Sequence, residues 1–210
     1  MTLPPLATAE DLATALQRPL DPAQADLAIR RASSRVRRYT NQVLSFVAQE
    51  TAELEGGTQT LQLPQRPLVV DGANPLTVIE LADFTGIEYQ AIESRDFTRI
   101  GSELTRGYPW YGSRTRLMGW PFNRTLGVWT TRVRVTWSHG YQTIPDDITD
   151  VVLDLAAMNL TNPLGLRSES IDDYSRTFAS ETIGGAQLTR DHKAALRPYR
   201  RTAISVRPMP

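Results

Sequence analysis

The stretch VTWSHGYQTIPDDITDVVLDLAAMNL, residues 135–160, passes from strand grammar to helix grammar around one of the chain's two histidines. Its beginning completes the run WTTRVRVTW (129–137), in which Trp129, Thr131, Val133, Val135 and Trp137 share one face of a strand and Arg132 and Arg134 the other. From Asp146 the period lengthens. Ile148, Val151, Val152, Leu155 and Asn159 fall on one side of a helix, with Asp147, Asp150 and Asp154 as a neighbouring acidic stripe. Leu153 and Leu160 project elsewhere, which predicts a helix touching two neighbours. Between the two elements stand His139, Asp146 and Asp147. A histidine base oriented by an aspartate needs a substrate proton within hydrogen-bond reach, and spacing alone does not supply one. The better-supported reading is a corner: Gly140 permits the sharp exit, Pro145 fixes the approach, and Asp146 or Asp147 caps the helix.

Upstream, Thr8 followed by Glu10 and Asp11 marks a helix start, with acids where the helix dipole favours them. That helix is expected to end near Arg18-Pro19. Asp21-Pro22 reads as the cap and first residue of a second helix, whose Ala25, Ile29, Ala32, Val36 and Tyr39 form an apolar stripe. Arg30, Arg31, Arg35, Arg37 and Arg38 fall on its other side. From 43 to 137 the runs VLSFVAQ, TQTLQLP, LTVIEL, IEYQAIE and WTTRVRVTW are short, rich in β-formers and bounded by turn residues. Gly56-Gly57 is expected to turn a hairpin. Residues 101–128 show little periodicity and read as a long arm or loop. Downstream, Asn162-Pro163 stops the helix, and 165–180 reads as a polar loop or short strand pair. Thr189 caps a last helix through about Tyr199, before an extended tail in which Ile204 and Val206 alternate.

The expected fold is therefore α+β: a small helical bundle of two N-terminal helices, a long central helix and a C-terminal helix, with an inserted antiparallel β lobe. Its helical core spans 1–42 and 138–200. The β lobe spans 43–137, with the arm at 101–128, and the tail is 201–210.

Composition narrows function. The 210 residues carry no net charge and no cysteine, which removes disulfides, thiolate catalysis and cysteine-ligated zinc. Two histidines 53 positions apart do not suggest an ordinary zinc site. Glu169, Asp172 and Asp173 offer oxygen ligands, but not at the spacing of a calcium loop. Neither a nucleophile elbow nor a phosphate-binding loop occurs. No catalytic residue, metal or cofactor is expected. No run of membrane-spanning length is present, and the N-terminus lacks the pattern of a signal peptide.

Charge is segregated. Residues 97–145 hold seven arginines against one glutamate, whereas 146–173 hold seven acids against Arg167. Opposed blocks in a neutral chain suggest surfaces that meet complementary surfaces. In and beside the arm, Trp110, Tyr111, Trp120, Phe122 and Trp129 are interleaved with Arg106, Arg114, Arg116 and Arg124. A loop cannot bury so many aromatics in itself, so a partner-binding arm is expected, with nucleic-acid stacking as the alternative.

Four segments, in order and covering about half the chain, resemble the head–tail connectors, or head-completion adaptors, of long-tailed double-stranded DNA phages. LATAEDLATALQRPLDPAQADLAIRRASSRVRRYTNQ resembles the family's opening helix pair at Leu12, Ala32, Val36 and Tyr39. VTWSHGYQTIPDDITDVVLDLAA resembles its strand–turn–helix join at Val135, Thr136, His139, Gly140, Tyr141, Pro145, Ile148 and Val152. NPLGLRSESIDDYS matches through Arg167, Ser168, Glu169, Ser170, Tyr174 and Ser175, and LTRDHKAALRPYRR through Leu188, Leu196, Tyr199 and Arg200. Residues 100–128 depart from the simplest members in length, and Asp172 stands where a small residue is more usual.

The resemblance implies a non-enzymatic virion protein of the neck, between capsid and tail, assembled in the host cytoplasm. It would form a homo-oligomeric ring, typically twelve-fold, between the portal protein and a tail-side stopper or tail-terminator protein. Double-stranded DNA would pass through its channel during genome ejection. On that reading Leu153, Leu160, Arg167 and Glu169 are expected at the seam between copies, and Asp147, Asp150 and Asp154 along the channel. Thr202, Ala203, Ile204, Ser205, Val206 and Arg207 are expected on the portal. The competing expectation is a DNA-binding or packaging accessory protein that uses the arginines of the second helix.

Overall fold

In the computed structural model, residues 3–82, 86–107, 127–161, 168–171, 174–177, 187–201 and 206–207 are described. They form two units, one of residues 1–45 and 141–202, the other of residues 46–140 and 203–210.

The first unit is helical. Helix α1 (Ala9–Leu16) opens with a capping box in which Thr8 Oγ1 accepts from the Asp11 amide and Asp11 accepts from the Thr8 amide, each at 3.1 Å. Helix α2 (Pro22–Thr40) starts at the Asp21 cap with proline in its first turn and ends at Asn41 in the left-handed region. These caps satisfy amides and carbonyls that a helix end leaves unpaired. Helix α3 (Asp146–Thr161) packs against α2. Helix α4 (Arg190–Leu196) is capped by Thr189 and runs into a 3₁₀ turn at 197–199. Leu12, Ala28, Ile29, Ala32, Val36, Ile148, Val152, Leu155, Ala156 and Leu196 make one buried cluster. Alanines at 28, 32 and 156 let the helix backbones come close, while the branched residues fill the space between.

The second unit is built of strands: β1 (Val47–Glu55), β2 (Thr60–Gln62), β3 (Leu68–Val69), β4 (Thr77–Leu81), β5 (Glu88–Ala91), β6 (Phe97–Ile100), β7 (Glu103–Arg106) and β8 (Arg132–His139). A six-stranded sheet runs β11–β1–β8–β4–β5, with β3 also on β8, where β11 is Val206–Arg207 of the tail. A three-stranded sheet runs β2–β7–β6. All these strand pairs are antiparallel. One core serves both sheets: Leu54, Val78, Val133, Val135 and Trp137 from the larger, Leu61, Phe97 and Leu104 from the smaller, and Trp129. The Trp129 ring lies tilted against Phe97, 5.6 Å between centroids, and donates to the Leu104 carbonyl at 3.0 Å, so its polar edge is satisfied inside that core. Back in the helical unit, β9 (Ser168–Ile171) and β10 (Tyr174–Thr177) form an antiparallel pair.

The expected helical bundle with an inserted β lobe is thus corrected. The protein is a strand-rich α+β chain in which residues 46–140 close a core of their own across two sheets. The physical reason is β8. Its inward Val133, Val135 and Trp137 are fully buried, and β1, β3 and β4 all pair with it, so the strands need no helix to complete a buried face. Two local expectations also change. Gly56-Gly57 does not close a hairpin: the two glycine amides bond to the carbonyls of Thr131 and Trp129, and the chain crosses to the other sheet. Residues 103–106, expected in the arm, are the strand β7, paired with β2 and β6.

Candidate functional site

His139 ends β8 fully buried, its Nε2 on the Glu50 carboxylate and its ring 5.9 Å from that of Trp137. Glu50 reaches it because β1 carries a bulge between Val47 and Glu50, where Gln49 adopts a left-handed φ of 51°. Neighbouring Ser138 points to the opposite face, as alternate strand residues do. There its hydroxyl accepts from the Gln49 amide at 2.9 Å and donates to Asn74 at 3.1 Å. Ser138 and His139 therefore form no nucleophile–base pair. Gly140 leaves the strand at a φ of 90°. Asp146 and Asp147 lie in the first turn of α3, and Asp147 accepts from the Tyr199 hydroxyl at 3.5 Å. The histidine's carboxylate partner is Glu50, a residue that the sequence reading did not single out.

The strand unit also holds charged groups that were missed or misplaced. Arg106, expected on a partner-binding arm, is buried with its Nε 3.0 Å from Glu80 Oε1 and its guanidinium 5.5 Å over the Trp129 ring. It also donates to the Asp96 carbonyl. Trp129, expected beside the arm, is a core residue. Glu80 accepts from the Thr130 amide as well, at 3.2 Å. The Asp96 side chain, fully buried, accepts from the Ile92 amide at 2.8 Å, from Tyr89 at 2.9 Å and from Arg95 at 3.0 and 3.1 Å. Burial pushes the Asp96 carboxyl up, but these donors outweigh it and hold it below the usual carboxylate range. Burial and the same carboxylate push the Tyr89 hydroxyl up. Glu53 is held low by its hydrogen bond from Arg132 at 2.6 Å, with Arg134 assisting from 3.4 Å. These bonds tie strands and turns together, and that is their chemistry.

On the helical unit the structure separates the arginines. Arg37 is half-buried; it donates to the carbonyls of Val43 and Pro4 and to Ser45, and burial lowers its pKa. Arg35 is half-buried too, whereas Arg30, Arg31 and Arg38 are exposed. Asp147, Asp150 and Asp154 are exposed on α3, and the Asp154 carboxylate lies 3.5 Å from His192. Leu153 and Leu160 are half-buried against the unit's own core. Glu169 sits in β9 opposite Arg176. Val206 and Arg207 pair with Leu54 and Glu53 at the free edge of β1. Arg167, Asp172, Asp173, Thr202, Ala203, Ile204 and Ser205 lie outside the described residues, as do Trp110, Tyr111, Trp120, Phe122, Arg114, Arg116 and Arg124.

Among the described residues no helix is long and apolar enough to cross a membrane. No protein-family model matches the chain, and no curated protein matches it.

Proposed function

We propose that the chain is a structural head-to-tail adaptor of a long-tailed double-stranded DNA phage. In this reading it forms a ring in the neck of the virion, between the portal and the tail-side proteins, after assembly in the host cytoplasm. The ring extends the channel for DNA and catalyses no reaction. The observation that carries the reading is the ordered resemblance of four segments, centred on the join at 135–160. The structural use of His139 in that join is compatible with it, since the ring is held by Glu50 and packed on Trp137.

The portal contact is assigned to residues 202–207. The backbone of Val206–Arg207 pairs with β1 through only two residue pairs, so little is lost if this strand exchanges its partner for an edge on the portal. Leu153 and Leu160 spend much of their surface on their own core, which moves the seam between copies away from them.

The test mixes the full chain with purified portal rings of the same phage and follows co-sedimentation and electron micrographs. A ring seated on the tail-facing end of the portal is expected, and a chain ending at Arg201 should fold but fail to attach. Absence of any portal binding by the full chain would overturn the adaptor. The second reading, a DNA-binding accessory, is favoured by the exposed Arg30, Arg31 and Arg38; it requires duplex binding that falls steeply with salt.

A further inference from the structure

The outer faces of α2 and α3 match each other in charge, spacing and direction. The core face of α2 is Ala25, Ala28, Ile29, Ala32 and Val36, and that of α3 is Ile148, Val151, Val152, Leu155 and Ala156. At 100° per residue, Leu27, Arg30, Arg31, Ser34 and Arg38 lie opposite the first, and Asp146, Asp150 and Asp154 opposite the second. All eight are exposed, and Leu27, 44% exposed, stands as an apolar side chain among the arginines. Because α2 and α3 pack together through their core faces, their outer faces look away from each other. Arg30 and Arg38 are eight residues apart, as are Asp146 and Asp154, which at 1.5 Å per residue puts both pairs about 12 Å apart. No ion pair among the described residues engages Arg30, Arg31, Arg38, Asp146 or Asp150.

We infer that the partner of the α2 arginine face is the α3 aspartate face of a second copy of this chain. The contact is heterologous, so each copy offers one face and receives the other, and repetition gives a closed ring or an open filament. Charge complementarity favours a second copy over duplex DNA, because the same unit supplies both signs and the α3 face would repel phosphate. The inference deepens the adaptor reading by naming its seam. It also moves Asp150 and Asp154 from the expected channel wall to the contact between copies.

The absence of native cysteine allows a clean test on the full chain. In Ser34→Cys/Asp150→Cys, oxidation at high protein concentration and low salt should give a ladder of dimers, trimers and larger species. Each single-cysteine variant should give at most a faint dimer. Reversal at one face, Arg31→Glu/Arg38→Glu or Asp146→Arg/Asp154→Arg, made in the double-cysteine background should abolish the ladder. Mixing the two reversed proteins should restore it, because each then meets an opposite face; circular dichroism shows that both fold. A ladder insensitive to reversal, dimers alone, or no cross-linking would overturn the seam. So would duplex DNA binding that Arg31→Glu/Arg38→Glu removes while the ladder persists. Portal binding without this ladder would overturn the seam and leave the adaptor standing.

Discussion

Glu80 and Arg106 form a charged pair nearly sealed from water, with side chains 0% and 6% exposed. Removing one partner leaves the other charge buried with its main counter-charge gone, which costs about 3–5 kcal/mol, whereas replacing both by apolar groups of similar size costs far less. Urea melts of Glu80→Leu, Arg106→Met and the double variant should therefore show strong coupling, with the double variant more stable than the sum of the singles requires. Additive losses would mean that the two do not act as a pair. This pair was legible in part. In LTVIEL, Glu80 shares strand parity with the apolar Val78, and in ELTR, Arg106 shares it with Leu104; a charge at an inward position calls for a buried partner. Which charge answers which depends on how two sheets stack, and no local pattern carries that. The Glu50 partner of His139 was hidden for a similar reason, since it arises from a bulge in a strand 89 residues away in sequence.

At the scale of elements, helices read well and one strand read badly. The caps at Thr8, Asp21 and Thr189 are local chemistry, and each begins the helix that its sequence signals. β1 was expected at 43–49 but lies at 47–55. Its Ala52, Glu53 and Glu55 have weak strand preference, and β8 imposes the conformation by pairing with Glu50 through Glu55. The same pairing fixes the exit of β1. A side-chain carbon added at Gly56 would sit 1.8 Å from the Thr130 carbonyl oxygen, a backbone atom that cannot swing away. Gly56→Ala should thus destabilise the strand unit by about 1–3 kcal/mol or more. Gly72→Ala, where nothing lies within 4 Å, should be near neutral. Equal thermal melting of the two variants would show that the end of β1 yields more easily than this contact implies.

At the scale of the whole molecule, the sequence changes period near 43 and again near 146, but the weight of the strand unit does not show in it. Short strands look minor one at a time, and their shared core appears only when Trp129, Trp137, Phe97 and Leu104 are brought together. Two separate cores predict two responses to acid. Among the described residues the carboxyls held below their usual range are Glu53, Asp71 and Asp96, all in the strand unit. A carboxyl depressed by folding gives stability that is present above its unfolded pKa and is lost as pH falls through the folded one. Acid should therefore weaken the strand unit before the helical one. The chain carries its own reporters, because all four tryptophans fall between 110 and 137, whereas ellipticity at 222 nm follows the helices. As pH is lowered in mild urea, tryptophan emission should shift at a higher pH than that at which helical ellipticity falls. Asp96→Asn, which keeps the shape but removes the titrating group, should lower the stability of the strand unit near neutral pH and flatten its dependence on acid. Coincident transitions by both probes, in both proteins, would mean that the two cores unfold as one and that their separation has no thermodynamic consequence.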